Sequence, residues 1–157
     1  MKRINILFLI IFLEVALFAQ ELQIKANSFS ADGQKGLSLF SGHVQVKKGN
    51  DELNASKVII YTDKKNKPTK FVAEGNVSFF IETKKADKYK GRADKVLFLP
   101  KERVYSFYGN VNLKQLNEKK EIIGDEVTLG LDSGRASAKG MKKEPVIMIF
   151  DIKENKE

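Results

Sequence analysis

Phe40-Ser41-Gly42-His43-Val44-Gln45-Val46 decides how this chain is read. Phe40, Gly42, Val44 and Val46 share one phase of a two-residue alternation, and Ser41, His43, Gln45 and Lys47 occupy the other. Successive side chains of a β-strand point to opposite faces, so the stretch predicts a strand with one dry face and one wet face. A helix would need apolar residues three and four apart, and that spacing is missing. The stretch returns as Ala73-Glu74-Gly75-Asn76-Val77-Ser78-Phe79 and as Phe107-Tyr108-Gly109-Asn110-Val111-Asn112-Leu113, with a worn copy at Ala138-Lys139-Gly140. In the second copy Phe71, Ala73, Gly75, Val77, Phe79 and Ile81 share the dry phase. In the third, Tyr105, Phe107, Gly109, Val111 and Leu113 do. Regular recurrence of one strand type is the mark of a stacked all-β repeat.

A second half-repeat follows each glycine strand: Ala55-Ser56-Lys57-Val58-Ile59-Ile60, Ala93-Asp94-Lys95-Val96-Leu97-Phe98 and Gly124-Asp125-Glu126-Val127-Thr128-Leu129, with an earlier partner at Ala26-Asn27-Ser28-Phe29-Ser30-Ala31. The step of three from the small residue to the first apolar one breaks strict alternation. A β-bulge or strand corner at the polar residue between them restores the phase, so the chain is expected to bend there. Turn sequences separate the strands, among them Asp32-Gly33, Lys48-Gly49-Asn50-Asp51, Asp63 to Pro68, Lys84 to Lys88, Pro100-Lys101, Asn117 to Lys120 and Asp132-Ser133-Gly134. Their Gly, Asn, Asp and Pro residues supply the backbone angles that turns require. Spacing of this kind suits an antiparallel meander or jelly roll. Pro145-Val146-Ile147-Met148-Ile149-Phe150-Asp151-Ile152 is a continuous apolar run, expected to be a final strand that is either buried on both faces or at an edge. At an edge it would call for a partner.

The N-terminus reads differently. Met1-Lys2-Arg3 is cationic and the run from Ile4 to Ala19 is apolar apart from Glu14. A charged start, a short apolar run and a small residue at its end form a secretory signal peptide over 1–19, which places the domain over 20–152 in an exported compartment, followed by a charged tail over 153–157. A retained membrane anchor is the alternative. The run falls short of the roughly 20 apolar residues that span a bilayer, and Glu14 disfavours one further. With no cysteine, the domain has no disulfide and must be held by its core and its ladders. The net charge of +8 favours an anionic partner, and export argues against nucleic acid.

Catalysis finds no support. His43 is the only histidine and falls on the predicted wet face. No phosphate loop, metal-ligand cluster or nucleophile elbow is present, so no catalytic residue, metal or cofactor is expected. The dry faces must bury against one another. The pattern leaves two readings of that interior open: a packed core, which it favours, or a groove left by the small residues Gly42, Gly75, Gly109, Ala55, Ala73, Ala93 and Gly124 that recur among the large ones. An acyl chain would fit such a groove, each buried methylene contributing about 0.8 kcal/mol. Separately, Glu52-Leu53-Asn54-Ala55-Ser56 and Glu74-Gly75-Asn76-Val77-Ser78 both match the acidic-extended asparagine glycosylation motif that some bacteria use.

The Phe40 to Val46 stretch followed by Leu53-Asn54-Ala55-Ser56-Lys57-Val58 resembles the repeat of the OstA-like family, over roughly Leu22 to Gly140. The resemblance implies a twisted, open antiparallel β-jelly roll built from repeated strand pairs. Its apolar interior would hold the lipid A acyl chains of lipopolysaccharide in the periplasm. It also implies end-to-end association, so that a homo-oligomer bridges inner- and outer-membrane transport components. Carried over position by position, Phe40, Val44, Val46, Val58, Ile60, Val77, Phe79, Val96, Phe98, Val111 and Leu113 would line that interior. Rim lysines such as Lys47, Lys57 and Lys95 would attract phosphates. The weak fourth copy and the Val146 to Ile152 run depart from the family pattern. Two alternatives stand beside this reading: a membrane-anchored transport component with a similar roll, and a structural or adhesive β-repeat protein with a solid core.

Overall fold

The computed structural model describes residues 21–141 and 144–152. The expected signal peptide and the charged tail lie outside the described residues. Among the described residues, ten strands form one open antiparallel sheet: β1 (Leu22–Lys25), β2 (Ser28–Asp32), β3 (Leu37–Lys48), β4 (Asp51–Thr62), β5 (Pro68–Glu82), β6 (Lys88–Leu99), β7 (Val104–Gln115), β8 (Lys120–Gly130), β9 (Ala136–Lys139) and β10 (Ile147–Phe150). β3 to β8 pair in chain order, as a meander does. β1 and β2 pair with the two halves of β3, and β9 and β10 with the two halves of β8. The expected turns connect them. In the β4–β5 turn the Asp63 carboxylate accepts the backbone N–H groups of Lys65 and Lys67 at 2.8 and 3.0 Å.

Every long strand is bent at its middle. At the bend the ladder skips a residue: Ser41 pairs with Lys57 but Val44 with Ala55, and Glu74 pairs with Lys95 but Val77 with Ala93. The extra residue lies in the glycine strand, rather than at the polar residue of the half-repeat as the sequence pattern suggested. The reason is conformational. Gly42 and His43 both have positive φ (81° and 47°), as do Gly75 and Asn76 (85° and 45°) and Gly109 and Asn110 (74° and 47°). Glycine enters that region freely and asparagine tolerates it, whereas the Ser, Lys and Val of the half-repeats do not.

These corners also correct the expectation that the three glycines stack on the dry face. A side chain at Gly42, Gly75 or Gly109 would collide with Asn27, Ser56 or Asp94 respectively, all exposed. The polar residue of each half-repeat therefore caps the next glycine corner from outside. The fourth repeat lacks this device: β9 stops at Lys139, and the chain returns to β8 only at Ile147.

The bends fold the sheet into two facing layers. Phe79 lies beyond the corner of β5, Phe107 before the corner of β7, and these strands are separated by β6. Neighbouring strands are about 4.8 Å apart, so two residues two strands apart in one layer would be roughly twice that. Their ring centroids are 4.5 Å apart, which places them in opposite layers. The core between the layers includes Val44, Val58, Val77, Val96, Phe107, Val111, Leu113, Val127 and Leu129, all nearly or completely buried.

The outer face of one layer is drier than alternation implied. Val72, on the phase expected to be wet, is buried, and with Ile59 and Leu97 it floors a shallow outer groove of about 510 Å³. Tyr61, with the Lys70 ammonium 4.2 Å from its ring centroid, walls one side of it.

Gly91 tests the closeness of the β6–β7 pairing. A Cβ there would overlap the Asn112 carbonyl oxygen, a backbone atom that cannot swing away. Gly91→Ala is expected to cost about 3 kcal/mol, at the upper end of overpacking penalties. Chemical denaturation of the purified protein measures it. A cost under about 0.5 kcal/mol would contradict the register.

Candidate functional site

Near the corners the two layers converge, and away from them they separate. Val44, Val77 and Val111, each following a corner, are at most 1% exposed. Toward the turns an apolar cleft of about 820 Å³ opens between the layers. One wall carries Val46, Leu53, Phe79 and Ile81. The other carries Val58, Phe71, Ala73, Val96, Phe98 and Tyr105, and Leu131 stands at its edge. Phe98 and Tyr105 stack with centroids 4.3 Å apart, and Phe71 lies 6.1 Å from Phe98.

Of the eleven interior residues expected from the sequence, Val46, Val58, Phe79, Val96 and Phe98 line this cleft. Val44, Ile60, Val77, Val111 and Leu113 are buried core, and Phe40 is half-buried against it beside Phe29, 4.9 Å away. All eleven face the interior, but the cleft takes only part of them. It adds Leu53, Phe71, Ala73, Ile81, Tyr105 and Leu131. Phe71, Ala73, Ile81 and Tyr105 share the dry phase of their strands, and that signal could have found them.

The mouth is polar. Lys48, Asn50, Asp51, Glu82, Lys84 and Arg103 come from the turns that border it. The expected rim lysines lie elsewhere. Lys57 and Lys95 sit on the outer face, 3.1 and 3.8 Å from the Glu74 carboxylate, and Lys47 is exposed outside the cleft. A one-residue step along a strand moves a side chain to the other face, so Lys48 reaches the mouth and Lys47 does not. Arg103 donates from Nε to Asp132 at 2.8 Å.

Two ionisable groups are tuned by this setting. Burial raises the Tyr105 pKa well above its ordinary value, and the nearby Asp51 carboxylate adds to the rise, so its hydroxyl stays neutral. Burial also raises Asp51 above its ordinary 3.8. The Glu82 N–H, donated to its carboxylate at 2.8 Å, and the Lys48 charge oppose the rise, and the Glu82 carboxylate adds to it. Folded Asp51 thus holds its proton more tightly than unfolded Asp51. Its ionisation, as pH rises from 3.8 through the folded pKa, costs stability that the protonated form retains. Asp51→Asn keeps an acceptor for the Glu82 N–H. The substitution is expected to raise the melting temperature at neutral pH, with the gain shrinking in acid. Thermal melts across pH check it, and an equal shift at all pH values would exclude the linkage.

Hydrocarbon walls, a cleft volume within the range of small-molecule sites and a charged mouth suit an amphiphile, with alkyl chains inside and a polar group in water. The comparisons with known proteins bear on this geometry. Residues 23–135 match the family model described as LptA/(LptD N-terminal domain) LPS transport protein. The chain belongs to this LPS transport family. No curated protein matches it. Among solved structures it is similar to LptH, described as the LptA homologous periplasmic component of the conserved lipopolysaccharide transport device from Pseudomonas aeruginosa. The TM-score is 0.73 at 15% identity, covering 85% of this chain and 96% of that one. At that identity the likeness speaks to the fold, an LptA-like open jelly roll.

Proposed function

We propose that this family member is a periplasmic carrier that holds lipopolysaccharide by its acyl chains in the cleft while the anionic head group stays at the charged mouth. The observation that carries this reading is the cleft itself. A structural repeat with a solid core would close its layers along their whole width, whereas these part toward the turns and leave aromatic walls unfilled. Transfer then needs no bond chemistry from the protein. Acyl chains slide along a continuous apolar track, and the mouth cations govern the approach of phosphates more than final affinity. In this reading 1–19 is removed and the mature chain begins at Gln20. A retained N-terminus in the inner membrane would instead favour a membrane-anchored component.

Both sheet edges support end-to-end assembly. Ile147, Met148, Ile149 and Phe150 on β10 are all exposed, as are Leu22 on β1 and Phe29 on β2. Unpaired edges of this kind accept another strand, from a second copy or from inner- and outer-membrane transport components. The deciding experiment places a photo-crosslinking residue at Phe98 in cells of an exporting host. A lipopolysaccharide adduct at Phe98, and none at outward Ser78, is the expected result. Folded, exported protein without an adduct at Phe98 overturns the carrier reading.

A further inference from the structure

Two asparagines match the acidic-extended glycosylation motif, and the fold treats them differently. Asn54 is half-buried in β4 and ladder-paired on both sides, to Gln45 and Ser78. Its amide donates to Glu52 at 3.3 Å, and the same Glu52 oxygen accepts from Gln45 at 2.9 Å. Both the acceptor and the acidic residue of that motif are engaged.

Asn76 is placed otherwise. It is exposed and forms the outer half of the β5 corner, with φ of 45°. Gly75 and Asn76 fall in the gap of the ladder, with no register partner in β4 or β6. The equivalent residues of the other corners use their side chains to lock the bend: His43 Nδ1 lies 3.1 Å from Asn27 Nδ2, and Asn110 donates to Asp94 at 2.9 Å. At the β5 corner Ser56 bonds the Gly75 carbonyl instead, at 3.3 Å, which leaves the Asn76 amide without that task. Ser78, two residues on, is exposed. Glu74, two residues before, pairs through its backbone with Lys57 and Lys95 in the two flanking ladders, and its carboxylate is held by the ammonium groups of the same lysines, whose side chains are 41% and 48% exposed. Surface pairs of this kind contribute about 0–1 kcal/mol, so the Glu74 carboxylate is released at little cost while its backbone stays in the ladder.

We propose that Asn76 is an N-glycosylation site, modified by a membrane oligosaccharyltransferase from a polyprenyl-diphosphate-linked oligosaccharide. In the transfer the Asn76 side-chain nitrogen forms a C–N bond to the anomeric carbon of the sugar. The bond from that carbon to the diphosphate oxygen breaks, the lipid diphosphate leaves and the amide gives up one proton. The glycan projects from the corner side of the roll. The cleft mouth is built from turn residues and the assembly edges from β1, β2, β9 and β10, so the modified chain keeps both. The proposal rests on the export proposed above.

The test is intact mass and tryptic mapping of the full chain purified from its native host. A glycan increment on the peptide Phe71–Lys84, with Gly49–Lys57 bare, is expected. Asn76→Gln and Ser78→Ala should each abolish the increment, and Asn54→Gln should leave it. Ser78→Ala preserves the corner, so loss there reports the motif and not misfolding. An unmodified Phe71–Lys84 peptide, or a glycan on Asn54 alone, overturns the proposal. The same mass reads the N-terminus. A processed start without glycan overturns only this site, whereas an unprocessed start overturns the cleaved carrier proposed above in favour of a membrane-anchored component.

Discussion

Phe107→Ala is expected to lower the unfolding free energy by about 3–5 kcal/mol, the range for deleting a buried aromatic ring. Phe107 is fully buried between Val96 and Val127 on the flanking strands, and its ring contacts Phe79 across the layers and Tyr105 along its own strand. The cavity is hard to collapse because the backbone on either side is held in β-ladders that cannot shift locally. Domains of this size are stable by about 5–15 kcal/mol, so the loss is a large fraction of the total. At about 3–4 °C per kcal/mol the melting temperature should fall by roughly 10–20 °C. Ile152→Ala is the matched control. Ile152 is 77% exposed, and its truncation should change stability by less than about 0.5 kcal/mol. A small effect at Phe107 would mean that the layers do not pack through the Phe79–Phe107 contact.

Two-residue alternation in β3, β5 and β7 was enough to read strands, their dry faces and the repeat, because a half-buried strand writes its geometry directly into sequence. The turns were legible for the same local reason: Asp63 binds backbone groups within its own turn. The corners were less so. The cap on Gly42 comes from Asn27 and the cap on Gly109 from Asp94, and nothing local ties those positions together. Only after the register is known does the polar residue of each half-repeat find its glycine. The cleft was legible in direction and not in extent. Phase tells that Val77 and Phe79 both face inward, but not that Val77 lies where the layers touch and Phe79 where they begin to part. That depends on distance from the corner, a property of the folded sheet. Leu131 escaped because it follows a glycine at the end of β8, beyond the alternating run. The outer groove was written in plain sight as Val58-Ile59-Ile60 and Val96-Leu97-Phe98. Continuous apolar runs belong to strands covered on both faces, and here Ile59 and Leu97 are half-buried on the outside.

On the proposed carrier reading, Leu53→Asp is expected to weaken lipid binding in the cleft while leaving the fold in place. Leu53 is half-buried on the cleft wall, paired with Val46 and Phe79, so an aspartate there can turn its carboxylate toward the open space rather than into packed core. If an acyl chain lies along this wall, the substitution removes contact with some three or four methylenes, about 2–3 kcal/mol at 0.8 kcal/mol each. It also sets a charge against hydrocarbon, which costs further. At 1.4 kcal/mol per factor of ten, bound lipopolysaccharide should fall roughly 30- to 100-fold. Binding is read as lipid retained on purified protein and as the Phe98 crosslink in cells. The charge contributes a second, separable signature. Leu53→Asn, of similar size and neutral, should lose less than Leu53→Asp, because the aspartate also repels the phosphates of the head group. Raising the salt concentration should narrow the gap between the two variants, since charges that solvent reaches are screened over about 10 Å at 0.1 M. Far-UV circular dichroism and a cooperative melt establish that the strands survive. Full lipid retention by folded Leu53→Asp protein would remove the cleft from the transport path, and the acyl chains would then have to lie on another surface, of which the outer groove over Val72 is the next apolar candidate.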